Sequence, residues 1–354
     1  MSAGDCILPE IGSSDYLGRL AREPRGPDDL PLSGSVELTF RCNLRCHHCY
    51  VPSPAARPAE LDTQAVCGVL DSLAAHGVLM LLFTGGEPLL RADFRTLYQH
   101  ARSLGLLVTV FTNATLIDDT LADFLAGMPP RRVEVTMYGA TPATCARVTG
   151  ATDAYERFQR GVQRLLDRRI PLHLKTMALR ANAHELPSMR QWAEARAIPF
   201  RFDGVVNPRL DGDRAPLAER VAPDDLSALL DLGAVPSETG TDSRLFRCGA
   251  GARTFHVDPA GQVHPCLMWR VEPYDLLRGS VREWNERMAE LRLRHAPPGS
   301  RCRDCPRRVA CPTCAAASRL ETGAAGAPVP YLCHACGLPD PDAAAAPPQM
   351  ADKP

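Results

Sequence analysis

The sequence predicts an α/β fold, in which a partial (β/α)6 barrel is followed by a small cysteine-rich domain. Short β-rich runs alternate with stretches of helical periodicity between residues 36 and 208, as is typical of a parallel sheet covered by helices. Beyond residue 208 the alternation stops and closely spaced cysteines begin. Six such units can form part of a barrel whose ligands bind at the carboxyl ends of the strands. An open doubly wound sheet is the alternative topology.

Each predicted strand is a β-rich run bounded by Gly, Pro or Asp. The six runs are 36–40, 78–83, 106–112, 132–138, 172–179 and 200–206. The segments between them carry apolar residues at helical spacing. The predicted helices are 61–76, 92–104, 119–126, 155–168 and 185–197. A short helix at 223–232 and a β-hairpin of 254–257 with 262–265 are predicted beyond the six units.

These elements predict five consecutive regions. An N-terminal extension covers 1–34, the barrel core 35–210 and a linker with a short helix 211–243. The cysteine-rich domain covers 244–338, and its hairpin and closely spaced cysteines suit the binding of metal centres. The Ala-, Pro- and Asp-rich tail at 339–354 is expected to be disordered.

Composition excludes several classes of function. The 354 residues include 40 basic and 41 acidic ones, so no positive field exists to hold nucleic acid or an anionic membrane. The longest apolar run, 78–83, is too short to span a bilayer, and no secretory signal is apparent, which makes the cytoplasm the expected location. In a reducing compartment, 14 cysteines indicate metal binding or catalysis rather than disulfides.

The first cysteine cluster follows the first predicted strand directly. Cys42, Cys46 and Cys49 have the spacing C-x3-C-x2-C. Three thiolates on one loop can ligate three irons of a four-iron, four-sulfur cube and leave the fourth iron open. Zinc is the alternative, with His47 or His48 as a fourth ligand.

A second motif, Gly85-Gly86-Glu87-Pro88, ends the second predicted strand. Parallel strands end at one edge, so this motif and the cysteine loop are expected to lie together. Glycines permit a close approach to backbone, and a carboxylate with backbone acceptors suits an ammonium group.

These motifs resemble the hallmarks of the radical S-adenosylmethionine (radical SAM) superfamily. The resemblance covers about residues 36–208. Its residues are the three cysteines with the aromatic Tyr50, the segment Gly85, Gly86, Glu87 and Pro88, then Thr112 and Asn113 after the third strand, and Thr136, Met137, Tyr138 and Gly139 with Arg147 after the fourth.

The resemblance implies a reaction and roles for these residues. S-adenosylmethionine (SAM) would chelate the open iron through its methionine moiety, and the Gly-Gly-Glu segment would contact its amino group. Reductive cleavage would then give a 5′-deoxyadenosyl radical that abstracts hydrogen from the substrate. Thr136 and Arg147 resemble the family's ribose and carboxylate contacts.

The second group of cysteines could hold two metal centres. It consists of Cys248, Cys266, Cys302, Cys305, Cys311, Cys314, Cys333 and Cys336. Two zinc ribbons are the alternative on spacing alone. The arrangement resembles the SPASM extension, whose seven cysteines carry two auxiliary four-iron clusters. Two residues separate Cys311 from Cys314, where that pattern usually has three.

The SPASM resemblance implies two interleaved ligand sets. One cluster would take Cys302, Cys305, Cys311 and Cys333, and the other would take Cys248, Cys266 and Cys314. The second set is one ligand short, which leaves an iron open to a substrate thiolate or another ligand. Cys336 is the weaker candidate for that place.

Other cysteines and histidines are given structural roles. Cys67 is expected in the core, Cys145 after the fourth strand and Cys6 in the N-terminal tail. His256 and His264 flank the hairpin and are interpreted as structural rather than as ligands.

The resemblance implies an enzyme that modifies a peptide or protein side chain by crosslinking, oxidation or epimerisation. Oxidation or carbon–carbon bond formation on a small molecule is the alternative, and a non-enzymatic metal scaffold is a further one. Sulfatase-maturing enzymes carry an aspartate where this chain has Leu267, which argues against formylglycine formation. Expected partners are a reduced flavodoxin- or ferredoxin-type electron donor and a separate leader-peptide-binding protein, since the segment before the barrel is short.

Overall fold

The computed structural model describes residue 26, residues 28–232 and residues 243–338. Within them, nine strands form one sheet, and they are β1 (Ser33–Glu37), β2 (Met80–Thr84), β3 (Leu107–Thr112), β4 (Arg132–Thr136), β5 (Leu172–Met177), β6 (Phe200–Asp203), β7 (Thr254–Val257), β8 (Gln262–His264) and β9 (Tyr274–Asp275). Cys6, most of the predicted N-terminal extension, part of the linker and the 339–354 tail lie outside the described residues.

Ten α-helices are present in the described part of the chain. They are α1 (Thr63–Ala75), α2 (Phe94–Ser103), α3 (Asp119–Gly127), α4 (Pro142–Thr149), α5 (Ala154–Asp167), α6 (Leu186–Glu194), α7 (Pro223–Leu229), α8 (Val281–Leu293), α9 (Ala315–Thr322) and α10 (Pro330–Ala335). None of these helices is long and apolar enough to cross a membrane.

The order of the strands distinguishes between the two predicted topologies. The sheet reads β6-β5-β4-β3-β2-β1-β7-β8-β9, and β1 to β6 are all parallel. A doubly wound sheet reverses direction at a switch point, whereas this order is sequential from β1 to β6. The six predicted βα units are therefore present as a singly wound, partial-barrel arrangement.

The two faces of the sheet differ in chemistry, as the alternation of side chains along a strand requires. Val133 and Val135 of β4 are buried in the main hydrophobic core with helix residues such as Leu165. The opposite face is concave, because Lys175 of β5 lies over the ring of Phe111 on β3, two strands away. This concave face is lined largely by polar side chains.

Helix α4 is absent from the sequence prediction. Its first turn is stabilised by Thr141, whose side chain accepts a hydrogen bond from the Thr144 amide, and a proline stands at its start. It ends at Gly150, which has φ of 70° and so suits the left-handed turn. Two of its four buried residues are threonines, Thr144 and Thr149, so the sequence shows no apolar stripe at helical spacing.

The cysteine-rich segment continues the sheet of the barrel. Strand β7 pairs in parallel with β1, with Ser35 opposite His256, and β8 and β9 extend the sheet antiparallel. Phe255 and Trp284 belong to the same hydrophobic core as the barrel helices. The predicted hairpin is present, but its parallel pairing with β1 was not predicted.

Candidate functional site

The loop that carries Cys42, Cys46 and Cys49 begins just beyond the carboxyl end of β1. Its first residues are held by Glu60, whose carboxylate accepts hydrogen bonds from the Thr39 hydroxyl at 2.8 Å and the Phe40 amide at 2.8 Å. The amides of Gly86 and Glu87 donate to the carbonyl oxygens of Thr39 and Arg41. The backbone at the start of the loop is therefore held by the Glu60 carboxylate on one side and by the amides of Gly86 and Glu87 on the other.

The two glycines of the Gly-Gly-Glu-Pro motif allow this close approach. Gly85 has φ of 151°, and a Cβ atom there would overlap the Thr39 carbonyl oxygen. A Cβ atom at Gly86 would overlap the carbonyl oxygen of Arg41. The backbone of the cysteine loop therefore requires glycine at both positions. This requirement adds to the close approach of a ligand that the sequence predicts for them.

Glu87 is completely buried and engaged by protein donors. Its carboxylate accepts hydrogen bonds from the Thr112 hydroxyl at 2.8 Å, the Asn113 amide at 2.7 Å and the Leu89 amide at 3.2 Å. Burial raises the pKa of Glu87 to about 7, although these donors oppose the shift. Its carboxylate therefore joins β2 to β3.

The three thiols of the loop lie within each other's electrostatic field. Burial raises the pKa of Cys46, and the neighbouring Cys49 and Cys42 raise it further. Burial also raises the pKa of Cys42 to about 11. The Cys42 sulfur accepts from the Leu44 amide at 3.4 Å and from the Asn113 side-chain amide at 3.9 Å. Convergent thiols with N–H donors fit a cluster ligated by thiolates.

Helix α4 holds the far side of the loop. The Arg45 amide donates to the Thr149 carbonyl at 2.9 Å, and the His47 amide donates to the Val148 carbonyl at 3.2 Å. Cys145 on this helix is buried and packs against Leu44. Cys145 therefore belongs to the packing that supports the loop.

The residues that resemble the family's SAM contacts differ in their burial and in their hydrogen-bond partners. Asn113 is buried, and its side chain bonds to Asn43 at 3.0 Å and reaches Cys42. Thr136 is the last residue of β4 and pairs with Lys175. Arg147 is exposed on α4 and donates to the Ala181 carbonyl at 2.6 Å.

Tyr50, the aromatic residue after the third cysteine, is enclosed between the loop and the sheet. Burial raises the pKa of Tyr50, and the side chain of Thr84 at the end of β2 lies near its hydroxyl. Glu37 lies near it at the end of β1. Tyr50 thus connects the cysteine loop to the concave face.

The C-terminal thiols gather in two groups. Burial raises the pKa of Cys266 to about 11, and the fields of Cys314 and Cys248 add to the shift. These three line a cavity of about 270 Å³.

The second group contains four thiols. Burial raises the pKa of Cys333 to about 11, and the fields of Cys302, Cys311 and Cys305 add to it. Cys302, Cys305 and Cys333 line a cavity of about 240 Å³. Cys336 is buried beside Cys311, and a hydrogen bond between the two thiols lowers the pKa of Cys311 to about 7. The structure thus brings together the two sets that the SPASM resemblance implies.

The described residues contain no group of three or more His, Cys, Asp or Glu side chains placed to hold a single metal ion.

A buried charge network joins β1 to the hairpin. Arg270 donates to Glu37 at 2.8 Å and to the Leu267 carbonyl at 2.7 Å, and it lies 3.5 Å from Asp258. Burial raises the pKa of Glu37, but the His256 imidazole, whose Nε2 lies 3.5 Å from the carboxylate, and the hydrogen bond and charge of Arg270 outweigh it and hold the pKa below its ordinary value.

The two histidines at the hairpin belong to this network. His256 Nδ1 lies 2.8 Å from the Ser35 hydroxyl, and His264 Nε2 lies 3.0 Å from Asp258. Their side chains are buried among protein groups, which accords with their interpretation as structural residues.

Sequence reasoning assigned no individual role to three residues that shape the site. Glu60 orders the entry to the loop, Tyr138 lies beside the Cys46 thiol, and Arg270 joins the hairpin to β1. Glu60 and Arg270 have no local signal, since their partners are distant in sequence. The position of Tyr138 just after β4 was a usable signal, because side chains there face the rim.

The fold and the site together define a class: a singly wound α/β partial barrel with three thiols at the carboxyl ends of its strands. Residues 36–193 match the family model described as the radical SAM superfamily. A domain of this family implies an enzyme with a four-iron, four-sulfur cluster and SAM as cofactors.

Relatives and solved structures extend this assignment. The chain is 28% identical over 310 residues to the PqqA peptide cyclase of Xanthomonas axonopodis pv. citri, covering 78% of this chain and 81% of that protein. It is 29% identical over 257 residues to the PqqA peptide cyclase of Bradyrhizobium diazoefficiens, covering 67% of each.

Among solved structures, Streptococcus suis SuiB bound to S-adenosylmethionine has a TM-score of 0.66 at 14% identity, covering 90% of this chain and 81% of that one. The anSMEcpe structure with bound AdoMet and Cp18Cys peptide has a TM-score of 0.60 at 16% identity, covering 86% and 94%. At these identities the likeness concerns the fold.

Proposed function

We propose that this chain is a radical SAM enzyme with two auxiliary iron–sulfur clusters that modifies a ribosomally made peptide. The observation that carries the proposal is the convergence of Cys42, Cys46 and Cys49 at the carboxyl ends of the parallel strands. When bound there, a reduced cluster with SAM supplies a 5′-deoxyadenosyl radical that abstracts a hydrogen atom.

The chain's own residues would bind and orient these groups. The three thiols would ligate the cluster, and the Asn113 amide would donate to the Cys42 sulfur, as it does here. Backbone carbonyls of the Gly85–Gly86 turn would accept from the SAM amino group, because the Glu87 carboxylate is engaged by Thr112 and Asn113.

The remaining proposed contacts lie around that turn. Tyr50 and Pro88 would line the SAM site, and Thr136 would contact the ribose of SAM. Arg147 would reach a SAM carboxylate only by leaving the Ala181 carbonyl.

The auxiliary centres are assigned to residues 244–338, next to the radical core at 35–210. Cys302, Cys305, Cys311 and Cys333 would hold one cluster, and Cys248, Cys266 and Cys314 the other. The two thiol-lined cavities, of about 240 and 270 Å³, support this assignment. Cys336 contacts Cys311 and lies outside the three-thiol group, so the second cluster would keep an open iron.

A peptide substrate is favoured by the relatives. The proteins that match over 78% of this chain are named PqqA peptide cyclases, and the sequence similarity extends beyond the radical SAM core. We propose a peptide crosslink, oxidation or epimerisation as the product, with electrons from a reduced flavodoxin- or ferredoxin-type protein and delivery by a leader-binding protein.

Anaerobic reconstitution with iron and sulfide tests this proposal. Iron per chain is counted, and 5′-deoxyadenosine is assayed from SAM with a strong reductant. About twelve irons together with deoxyadenosine are expected from three clusters. About four irons together with two zincs would agree with the radical reaction but would show that the C-terminal centres are structural zinc sites. No deoxyadenosine would contradict the assignment as a radical enzyme.

The substrate is tested separately. Short peptides encoded near the gene are incubated with reconstituted enzyme, SAM and reductant, and their masses are followed. A mass change that requires SAM is expected with one of them. Deoxyadenosine formation stimulated only by small molecules would contradict the peptide assignment.

A further inference from the structure

Lys175 has an unusual position in this chain. Only two of the 40 basic residues are lysines, Lys175 and Lys353, and the other 38 are arginines. Lys353 lies in the tail outside the described residues. Lys175 lies on β5 on the concave face of the sheet, with its ammonium nitrogen 2.8 Å from the centre of the Phe111 ring. The one lysine of the described chain therefore faces the interior of the partial barrel.

The carboxylate nearest to Lys175 is engaged by other groups. Glu134, on the neighbouring strand, is buried. Arg132 donates to its Oε1 at 2.8 Å, and Arg201 donates to its Oε2 at 2.7 Å. Both oxygens are thus held by guanidinium groups. In the described part of the chain, no acceptor lies within hydrogen-bonding distance of the Lys175 ammonium.

The local charge is therefore unbalanced. Arg132 and Arg201 contribute two positive charges against the single negative charge of Glu134. Lys175 adds a third when it is protonated, and burial lowers its pKa to about 7. Asp203, the acidic residue at the end of β6, is exposed, and its side chain accepts a hydrogen bond from the Val205 amide at 3.0 Å. A partly buried excess of positive charge favours an anionic ligand, because charge-assisted hydrogen bonds compensate the desolvated ammonium.

The position of Lys175 in the sheet favours a reactant as the source of this anionic ligand. Lys175 is opposite Thr136 on one side and opposite Arg201 on the other. Lys175 is the fourth of six residues in β5 and Arg201 the second of four in β6, so this row crosses the concave face and meets the carboxyl end of β4 at Thr136. The cysteine loop lies at that end of the barrel. A planar carboxylate can accept from an ammonium and a guanidinium at once.

We propose that Lys175 and Arg201 form a subsite for a carboxylate group of a reactant. The inference rests on the proposed function for the identity of the reactants. An acidic side chain of the peptide substrate and the methionine carboxylate of SAM share this chemistry. The subsite would hold the reactant by its charge on the concave face.

Lysine acetylation provides a direct test on the reconstituted holoenzyme. Acetic anhydride reacts with a neutral, accessible amine, and mass spectrometry of peptides measures acetylation at Lys175, with Lys353 as the reference in the same molecule. The four additions are SAM, decarboxylated SAM, N-acetylglutamate amide and N-acetylglutamine amide. A carboxylate bound to Lys175 keeps it protonated, so we expect roughly tenfold slower acetylation there and an unchanged rate at Lys353.

The four additions separate the two sources of the carboxylate. Protection by SAM but not by decarboxylated SAM would assign the subsite to the methionine carboxylate. Protection by the glutamate but not by the glutamine compound would assign it to an acidic side chain. The proposal is overturned by equal protection from the charged and neutral members of both pairs, by no protection at all, or by a Lys175 that does not react in the free enzyme.

A variant that leaves Lys175 in place tests the role of its neighbour. Arg201→Gln removes one guanidinium and frees Glu134 Oε2 to pair with Lys175, so protection by carboxylates is expected to disappear. Arg190→Gln is the matched control, because Arg190 is exposed on α6 and lies 6.0 Å from the Phe200 ring. Protection retained in Arg201→Gln would contradict the two-residue subsite. Labelling needs no turnover, so absent deoxyadenosine with intact protection would refute the proposed function alone.

Discussion

At the level of single residues, the proposed chemistry depends on the thiols of Cys42, Cys46 and Cys49. We predict that replacing any one of them by alanine abolishes deoxyadenosine formation and lowers iron by about four per chain, since two thiols do not retain the cluster. Cys67→Ala is the control, because Cys67 lies on α1 and packs against the core. SAM cleavage that persists in any of the three variants would refute their assignment.

His256 makes a pH dependence testable at the residue scale. Burial lowers its pKa to about 4, although Glu37 opposes the shift. The unfolded chain therefore binds a proton below pH 6.5 that the folded chain does not, and stability falls as pH falls from about 6.5 towards 4. Between pH 7 and 5 this single residue accounts for about 2 kcal/mol.

Urea unfolding at pH 7 and pH 5 tests this dependence. In His256→Gln the loss of stability over that interval is expected to be smaller than in the wild type by about 2 kcal/mol. His184→Gln, at an exposed histidine, is expected to behave as wild type. An equal loss in His256→Gln and wild type would show that this buried imidazole does not govern the response to acid.

At the level of elements, the turn after β2 determines the path of the cysteine loop. Gly86→Ala would place a Cβ atom on the Arg41 carbonyl oxygen, so the loop must move. We predict a destabilisation of about 1–3 kcal/mol and a large loss of SAM cleavage. The measurements are the thermal midpoint and the rate of deoxyadenosine formation.

Gly68→Ala is the matched control for that change. Gly68 lies in α1, and a Cβ atom there would meet nothing within 4 Å. Alanine is favoured over glycine in a helix by about 0.5–1 kcal/mol, so this variant should be slightly stabilised and fully active. Equal behaviour of the two variants would contradict the role given to Gly86.

The elements also show what local patterns can predict. β3 was predicted at 106–112 and is Leu107–Thr112, and its run of valine, threonine and phenylalanine is a strong local signal for a strand. β1 was predicted at 36–40 but is Ser33–Glu37, so the prediction was three residues late. Leu38 and Phe40 continue the apolar pattern of the strand, yet the chain bends into the cysteine loop because Glu60 and Gly86 bind the backbone of residues 39 and 40.

At the level of the whole molecule, the barrel and the C-terminal thiols are joined through Arg270. This residue contacts Glu37 of β1 and the Leu267 carbonyl, which follows Cys266 directly. The centre proposed at Cys266 is therefore tied to the strand that leads into the cysteine loop. This connection suits transfer of electrons or precise placement of substrate between the two centres.

Cys266→Ala separates the two centres. We predict that iron falls by up to four per chain, while deoxyadenosine continues to form without product from the peptide. The reason is that the thiols of the cysteine loop remain unchanged. Cys145→Ala, at a thiol that packs against Leu44, should leave iron unchanged. Unaltered iron content in Cys266→Ala would refute its role as a ligand.

The sequence by itself determined the class of fold, the six βα units and the composition of the cysteine loop. These features depend on periodicity and spacing within short segments, which fix backbone conformation and the faces of side chains. The two C-terminal ligand sets that the SPASM resemblance implies stay a prediction.

Only the tertiary structure decided which distant groups meet. Arg270 reaches Glu37 across 233 positions of sequence, β7 pairs with β1, and Lys175 lies over Phe111. No local pattern encodes these contacts, because each results from the curvature of the sheet and the packing of the whole chain. The burial that lowers the pKa of His256 likewise results from the packing of the whole chain.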